Sequence, residues 1–126
     1  MTTPKILVTG SREWTNWAAI ERELRRFPSG TILVHGAARG ADSIADEIGH
    51  RLGFVIRRYP ADWDTHGKSA GPIRNSQMLK EEHPDRDGIS ISEGLAFTLD
   101  LETSRGTRDM VKKLRGADIH VGVFAS

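Results

Sequence analysis

The chain contains no cysteine, which removes disulfides, thiolate nucleophiles and cysteine-ligated zinc from consideration. That composition fits a reducing compartment, and a cytoplasmic location is expected. No apolar run approaches the roughly 20 residues needed to cross a bilayer, and no signal-peptide-like stretch precedes Lys5. No membrane partner is expected. Charge of one sign is not in excess either: 18 Lys and Arg face 17 Asp and Glu, for a formal net charge of +1. A protein that lives on duplex phosphate usually shows a basic excess or stripe, so charge gives nucleic acid no support as a partner. Two familiar nucleotide signatures are missing as well. Glu13 and Trp14 stand where G-x-G-x-x-G needs further glycines, and no G-x-x-x-x-G-K-[ST] occurs.

What remains is a sequence of 126 residues, 37% hydrophobic and 28% charged, which suits one soluble domain with a single core. Residues 5–9 (KILVT) and 31–35 (TILVH) are short continuous apolar runs, each ended by glycine. Such runs suit strands buried on both faces of a parallel sheet. Between them Trp17, Ile20, Leu24 and Phe27 recur at helical spacing until Pro28-Ser29-Gly30. Ala41, Ile44, Ala45, Ile48 and Leu52 mark a second helix, with Ser43 and Asp46 placed like a capping box. Residues 54–59 (FVIRRY) read as a third strand and residues 60–71 as a long polar loop, followed by a helix over residues 72–82. Residues 95–101 alternate like a strand with one exposed face. Ile89 and Ile91 suggest a short extra strand, paired in a hairpin across Glu93-Gly94. A fourth helix after Gly106-Thr107 and a last strand over residues 119–124 complete an α/β, Rossmann-like three-layer sandwich with a mainly parallel sheet of about five strands.

Polar turns fall where a strand ends and a helix begins, on the sheet edge where such folds bind ligands. Gly10-Ser11-Arg12 offers a tight turn, a hydroxyl and a guanidinium fork. Gly36-Ala37-Ala38-Arg39-Gly40-Ala41-Asp42 is built of small residues throughout, with Arg39 for positive charge and Asp42 either to cap the helix or to accept ribose hydroxyls. Ser104-Arg105-Gly106-Thr107 at a helix start forms an anion nest. The long loop adds Trp63 as a flat face for a base, Lys68 as a point charge, and Gly71, Arg74 and Asn75 at the start of its helix. Asp62, Asp64 and His66 also allow a divalent metal, although i, i+2, i+4 residues in a loop more often form turns, so no metal site is expected. His35, His50, His83 and His120 lack ligand-like spacing and read as structural.

Taken together, GSREW, HGAARGAD, YPADWDTHGKSAGPIRNSQM and SRGTRDMV resemble the SLOG superfamily, closely its small YspA-type members, from Ile6 to Val123. That superfamily includes the LOG phosphoribohydrolases, the DNA-processing protein DprA and nucleotide-sensing domains. The resemblance implies a Rossmannoid fold that binds a nucleotide or nucleotide-derived ligand at the strand carboxyl ends, a homodimer, and a phage or bacterial source. The LOG signature P-G-G-x-G-T-x-x-E carries a glutamate thought to be catalytic. Here Met110 occupies that position and the leading Pro-Gly-Gly is missing, so LOG chemistry does not carry over. Asp109 lies one residue early, rotated about 100° around a helix.

Three functions compete on these residues. The first is a nucleotide-binding sensor or regulatory module with no resident cofactor. The second is a nucleotide hydrolase acting on an N-glycosidic or phosphate bond, with Asp109 or Asp42 as base and Arg39 or Arg105 stabilising charge. The third is single-stranded DNA binding by analogy with DprA. Under the first, Arg39, Arg74 and Thr107 are expected to converge on one pocket. Under any catalysis, Asp109 rather than a metal is the expected base. Trp14 lies outside the helical stripe that accounts for Trp17, and an aromatic left outside the core would anchor a homodimer.

Overall fold

A computed structural model describes residues 3–85 and 87–126. Five strands form one sheet: β1 (Lys5–Gly10), β2 (Ile32–His35), β3 (Val55–Arg58), β4 (Glu93–Phe97) and β5 (Val121–Phe124). All pairings are parallel, in the order β3-β2-β1-β4-β5. The connecting helices are α1 (Trp17–Leu24), α2 (Ala41–Arg51), α3 (Trp63–His66), α4 (Ala70–Lys80) and α5 (Arg105–Gly116). α1 and α2 cover one face, packing Ile20, Leu24, Ile44 and Ile48 on Ile6, Val8 and Leu33. α4 and α5 cover the other, packing Met78, Met110 and Leu114 on Leu7, Val34 and Val121. The fold is the expected α/β three-layer sandwich. Central in the sheet and covered on both sides, β1 is buried from Lys5 to Thr9, which is why Ile6-Leu7-Val8 reads as an unbroken apolar run, whereas the edge strand β3 carries Arg57 and Arg58.

The chain runs from β1 outward to β3 and then returns to place β4 on the other side of β1. That reversal opens a crevice beyond the carboxyl ends of β1 and β4, where open α/β sheets bind ligands. Gly40 packs the start of α2 closely against the turn after β1. Its φ of +76° is left-handed, and a Cβ there would collide with the Ser11 and Arg12 carbonyls. Only glycine lets the start of α2 approach the turn after β1 this closely. The turn is locked by the Ala41 N–H, which donates to Ser11 O at 3.1 Å.

Several local expectations are corrected. The two tryptophans exchange places: Trp14 is 3% exposed and Trp17 42% exposed. Asn16 caps α1 by accepting the Ala19 N–H, so Trp17 is the first helical residue and turns outward. Trp14 tucks under the preceding turn, tilted against Phe97 with ring centroids 5.7 Å apart, and its Nε1 donates to Asn16 O. No capping box closes α2. Ser43 Oγ instead donates to the Ala38 carbonyl, and Asp46 pairs with His35 Nε2 at 2.7 Å and Arg58 at 2.6 Å. The polar loop over residues 60–71 contains α3 and a 3-10 turn (Gly67–Ser69), and α4 starts at Ala70, two residues before Pro72. α4 ends at Lys80 and widens into a π turn at Glu81–Asp85. Residues 98–101 lie outside β4, whose residues 94–97 are all buried, so the strand has no exposed face. Ile89 and Ile91 form no strand, and Glu93-Gly94 opens β4 rather than a hairpin.

Below the carboxyl end of α4 lies an ionic cluster. Lys5, fully enclosed, pairs with Glu82 at 2.9 Å and with Asp87 at 3.0 Å. Arg57 pairs with the same two acids at 2.7 and 2.6 Å, and the Tyr59 hydroxyl donates to Glu82. Burial works against the ionised forms of both acids. The hydrogen bonds from Tyr59, Lys5 and Arg57 outweigh it at Glu82 and lower its pKa. At Asp87 the bonds from Lys5 and Arg57 hold the carboxyl at about 2.

Candidate functional site

The crevice is a cavity of about 470 Å³, within the range of small-molecule sites. Three polar turns meet there: Gly10, Ser11 and Arg12 after β1, Asp42 in α2, and Ser104, Arg105, Gly106 and Thr107 at the start of α5. Trp63, Lys68, Gly71, Arg74 and Asn75 from α3 to α4 close the remaining side. Thr9, Glu13, Ala38, Pro72 and Thr103 also line it. Thr9, Glu13 and Thr103 were not singled out in the sequence, though each adjoins a residue that was.

α5 begins without a side-chain cap. Ser104 occupies the cap position, but its hydroxyl bonds Thr98 Oγ1 at 2.8 Å rather than turning back on the helix. The first amides of an α-helix have no intrahelical acceptor and carry a partial positive charge, and here the residues that bear them line the cavity. Around them stand Arg12, Lys68, Arg74 and Arg105, none of which is ion-paired among the described residues. Arg12 instead lies over the Trp63 ring, 5.1 Å from its centroid.

Arg74 is the most constrained of these cations. Its Nη1 donates to the Gly36 and Tyr59 carbonyls, and its Nε donates to Asn75 Oδ1 at 2.9 Å. A Cβ on residue 36 would strike the guanidinium, so Gly36 is what lets Arg74 lie across the end of β2. Burial lowers the Arg74 pKa, with Asp42 and Asp109 opposing that effect. Asn75 carries the contact onward, donating from Nδ2 to Gly106 O at 3.2 Å and to Asp109 Oδ2 at 3.0 Å. The start of α4 is thereby tied to the start of α5.

Asp42 is 5% exposed. Its Oδ2 accepts the N–H groups of Gly36 at 3.1 Å and Ala38 at 3.3 Å, which folds the small-residue turn around the carboxylate. Its Oδ1 is buried without a partner. Burial pushes this carboxyl above the ordinary value, against those two amides and the nearby Arg74.

Arg39, Gly36 and Gly40 do not line this cavity. Gly36 and Arg39 border a smaller one of about 360 Å³, which shares Arg12, Ala38, Trp63 and Arg74 with the first. Arg39 is exposed and pairs with Glu13 at 3.0 Å. Of the three residues expected to converge, Arg74 and Thr107 do and Arg39 does not. Asp109 is also displaced from the expected position, standing outside the lining residues. Its Oδ2 is held by Asn75 and by Lys113 Nζ at 2.5 Å, an i, i+4 pair along α5. A carboxylate spent on two donors behind the wall is a poor base for a ligand inside it.

Asp62 caps α3 by accepting the Thr65 N–H at 3.1 Å. Among the described residues no three acidic or histidine side chains gather to hold a metal ion. His35 supports Asp46 and accepts the Ala37 N–H, and His83 accepts the Ile91 N–H. No helix among the described residues is long and apolar enough to cross a membrane.

The profile of the "YspA, cpYpsA-related SLOG family" matches residues 4–66, which reach from β1 through α3 and carry the first two polar turns. The "Gene 61 protein" of Mycobacterium phage D29 is 40% identical, over 93% of this chain and 93% of its own length. No solved structure matches the chain.

Proposed function

Because the chain belongs to the YspA, cpYpsA-related SLOG family, we propose that it binds a nucleotide or nucleotide-derived ligand in the crevice, as a sensor or regulatory module. The phosphate sits at the uncapped start of α5, where Arg74 and Arg105 neutralise it. The base lies on the Trp63 face. Lys68 and Arg12 supply further positive charge at the mouth. The observation that carries this reading is the group of cations left without carboxylate partners around an uncapped helix start. An arginine left partly buried and unpaired is unfavourable unless an anion completes it.

Binding is favoured over hydrolysis. Met110 is fully buried and Asp109 is held by Asn75 and Lys113, so neither serves as a base at the start of α5, and Asp42 is fixed by the Gly36 and Ala38 amides. Calorimetric titration with ribonucleoside monophosphates and with the matching nucleosides tests the proposal. Saturable binding of the nucleotides and none of the nucleosides is expected. Absence of nucleotide binding tighter than about millimolar by the folded protein would refute it.

We also propose a homodimer, anchored by the exposed Trp17 rather than by Trp14. Light scattering that gives the monomer mass of 14.0 kDa at micromolar concentration contradicts it.

A further inference from the structure

The unpaired oxygen of Asp42 needs an explanation of its own. Nearly all buried polar atoms in folded proteins find a partner, and the exceptions mark strain, function or a missing ligand. Asp42 already has a structural duty through Oδ2, which organises the turn over Gly36 and Ala38. Oδ1 adds nothing to that duty. It is the one buried side-chain polar atom without a partner among the described residues, and it belongs to a side chain that lines the cavity. Nor does the neighbouring cation satisfy it, since Nε and Nη1 of Arg74 are directed at Asn75 and at the Gly36 and Tyr59 carbonyls.

A carboxylate oxygen completes its bonding with a donor, so the ligand must bring an O–H or N–H to this point. The position in the cavity says which. On one side, Gly36, whose N–H bonds Asp42, accepts from Arg74, and Asn75 carries that contact on to the Gly106 carbonyl at the start of α5, the anion end. On the other side, the start of α2 presses on the Ser11 and Arg12 carbonyls, and Arg12 covers Trp63, the aromatic end. A nucleotide carries its sugar between phosphate and base. Resting on the nucleotide reading above, we infer that Asp42 Oδ1 accepts a hydroxyl of the ligand's ribose, so that the cavity selects ribonucleotides over deoxyribonucleotides. An acceptor fixed by two backbone amides is rigid and pre-aimed, which favours discrimination over mere tolerance.

The probes are the four ribonucleoside monophosphates, their 2′- and 3′-deoxy counterparts, and purine riboside monophosphate, which lacks the exocyclic amine. The wild-type protein should bind its preferred ribonucleotide at least about tenfold tighter than a matching deoxy form, the size of a hydrogen bond to a charged group. It should bind the amine-free analogue about as well as the adenine nucleotide. Asp42→Asn keeps an oxygen for Gly36 and Ala38 but presents an NH₂ at the Oδ1 position. Its ratio of ribo to deoxy affinity should fall several-fold below that of wild type. If Asp42→Asn does not fold, the wild-type comparison alone decides. Equal affinity for ribo and deoxy forms overturns the inference and leaves nucleotide binding standing, as does sensitivity to the base amine in place of the hydroxyl. Failure of every nucleotide to bind removes the proposed function, and this inference with it.

Discussion

The two ends of helix α4 treat positive charge in opposite ways. At its carboxyl end, Lys5 and Arg57 share Glu82 and Asp87, and each cation touches both acids. At its amino end, Arg74 lies half-buried and hydrogen-bonds only carbonyl and amide oxygens, with Asp42 and Asp109 acting on it from beyond ion-pair distance, and Arg12, Lys68 and Arg105 make no ion pair among the described residues. Protein interiors accept charge when it is neutralised locally. The carboxyl end therefore reads as a self-contained structural clamp that joins β1, β3 and the end of α4. The amino end reads as a site that is completed from outside. The same residue types serve stability in one place and recognition in the other, and the difference is whether the chain supplies the counter-charge.

The contrast is broken most severely by removing the shared acid. Glu82→Gln leaves Lys5 and Arg57 with Asp87 alone in a buried setting. Losing one partner of a buried pair costs on the order of 3–5 kcal/mol, so calorimetric melting should show a fall in Tm of roughly 10–20 °C. At the other end the signs reverse. Arg74→Met should weaken nucleotide binding by at least about tenfold, while its stability cost, from the lost hydrogen bonds to Gly36, Tyr59 and Asn75, should stay at about 1–3 kcal/mol, below that of Glu82→Gln. A large loss of stability with binding intact would place Arg74 with the structural cluster instead.

Acid sharpens the comparison without mutation. The Asp87 carboxyl is held at about 2, below its ordinary value of 3.8, by the bonds from Lys5 and Arg57. The folded state therefore binds protons less readily than the unfolded chain, and the stabilisation is complete above pH of about 4. It is lost as pH falls through the window from about 4 to 2. Asp42 runs the other way: burial raises its pKa, so its protonation favours the folded state. Denaturant melts across that window should show a fall in stability that is shallower in Asp87→Asn. The smallest effect is expected at Arg39, whose pair with Glu13 is exposed on both sides. Arg39→Ala should change stability by less than about 0.5 kcal/mol and binding by less than about twofold.

How much of this was legible in the sequence depends on distance along the chain. Each strand, turn and helix start is a local signal, so the sequence alone assigns the polar turns at Gly10, Gly36 and Ser104 to one sheet edge. The clamp was invisible because Lys5 and Glu82 lie far apart in sequence and neither sits in a motif. Trp14 and Trp17 were exchanged because helical spacing identifies a stripe but not the residue at which the helix begins, and Asn16 sets that. The alternation over residues 95–101 misled because Ala96 is small yet buried, and a strand covered on both faces has no solvent side. For Asp109 the sequence does carry a signal: Lys113 lies four residues on, within reach along a helix. The redirection of the Ser104 hydroxyl to Thr98 had no sequence signal, since Ser104 looks like an ordinary cap.

The central claim is that an outside anion completes the amino end of α4 and the start of α5. Backbone amide NMR of the uniformly labelled protein, titrated with ribonucleoside monophosphates, tests it most directly. The account predicts saturable shifts at Arg105, Gly106, Thr107, Arg74 and Asn75, with Lys5, Arg57 and Glu82 unmoved. Unchanged amides at the start of α5 at millimolar nucleotide, or shifts centred on the Lys5 cluster, would contradict it.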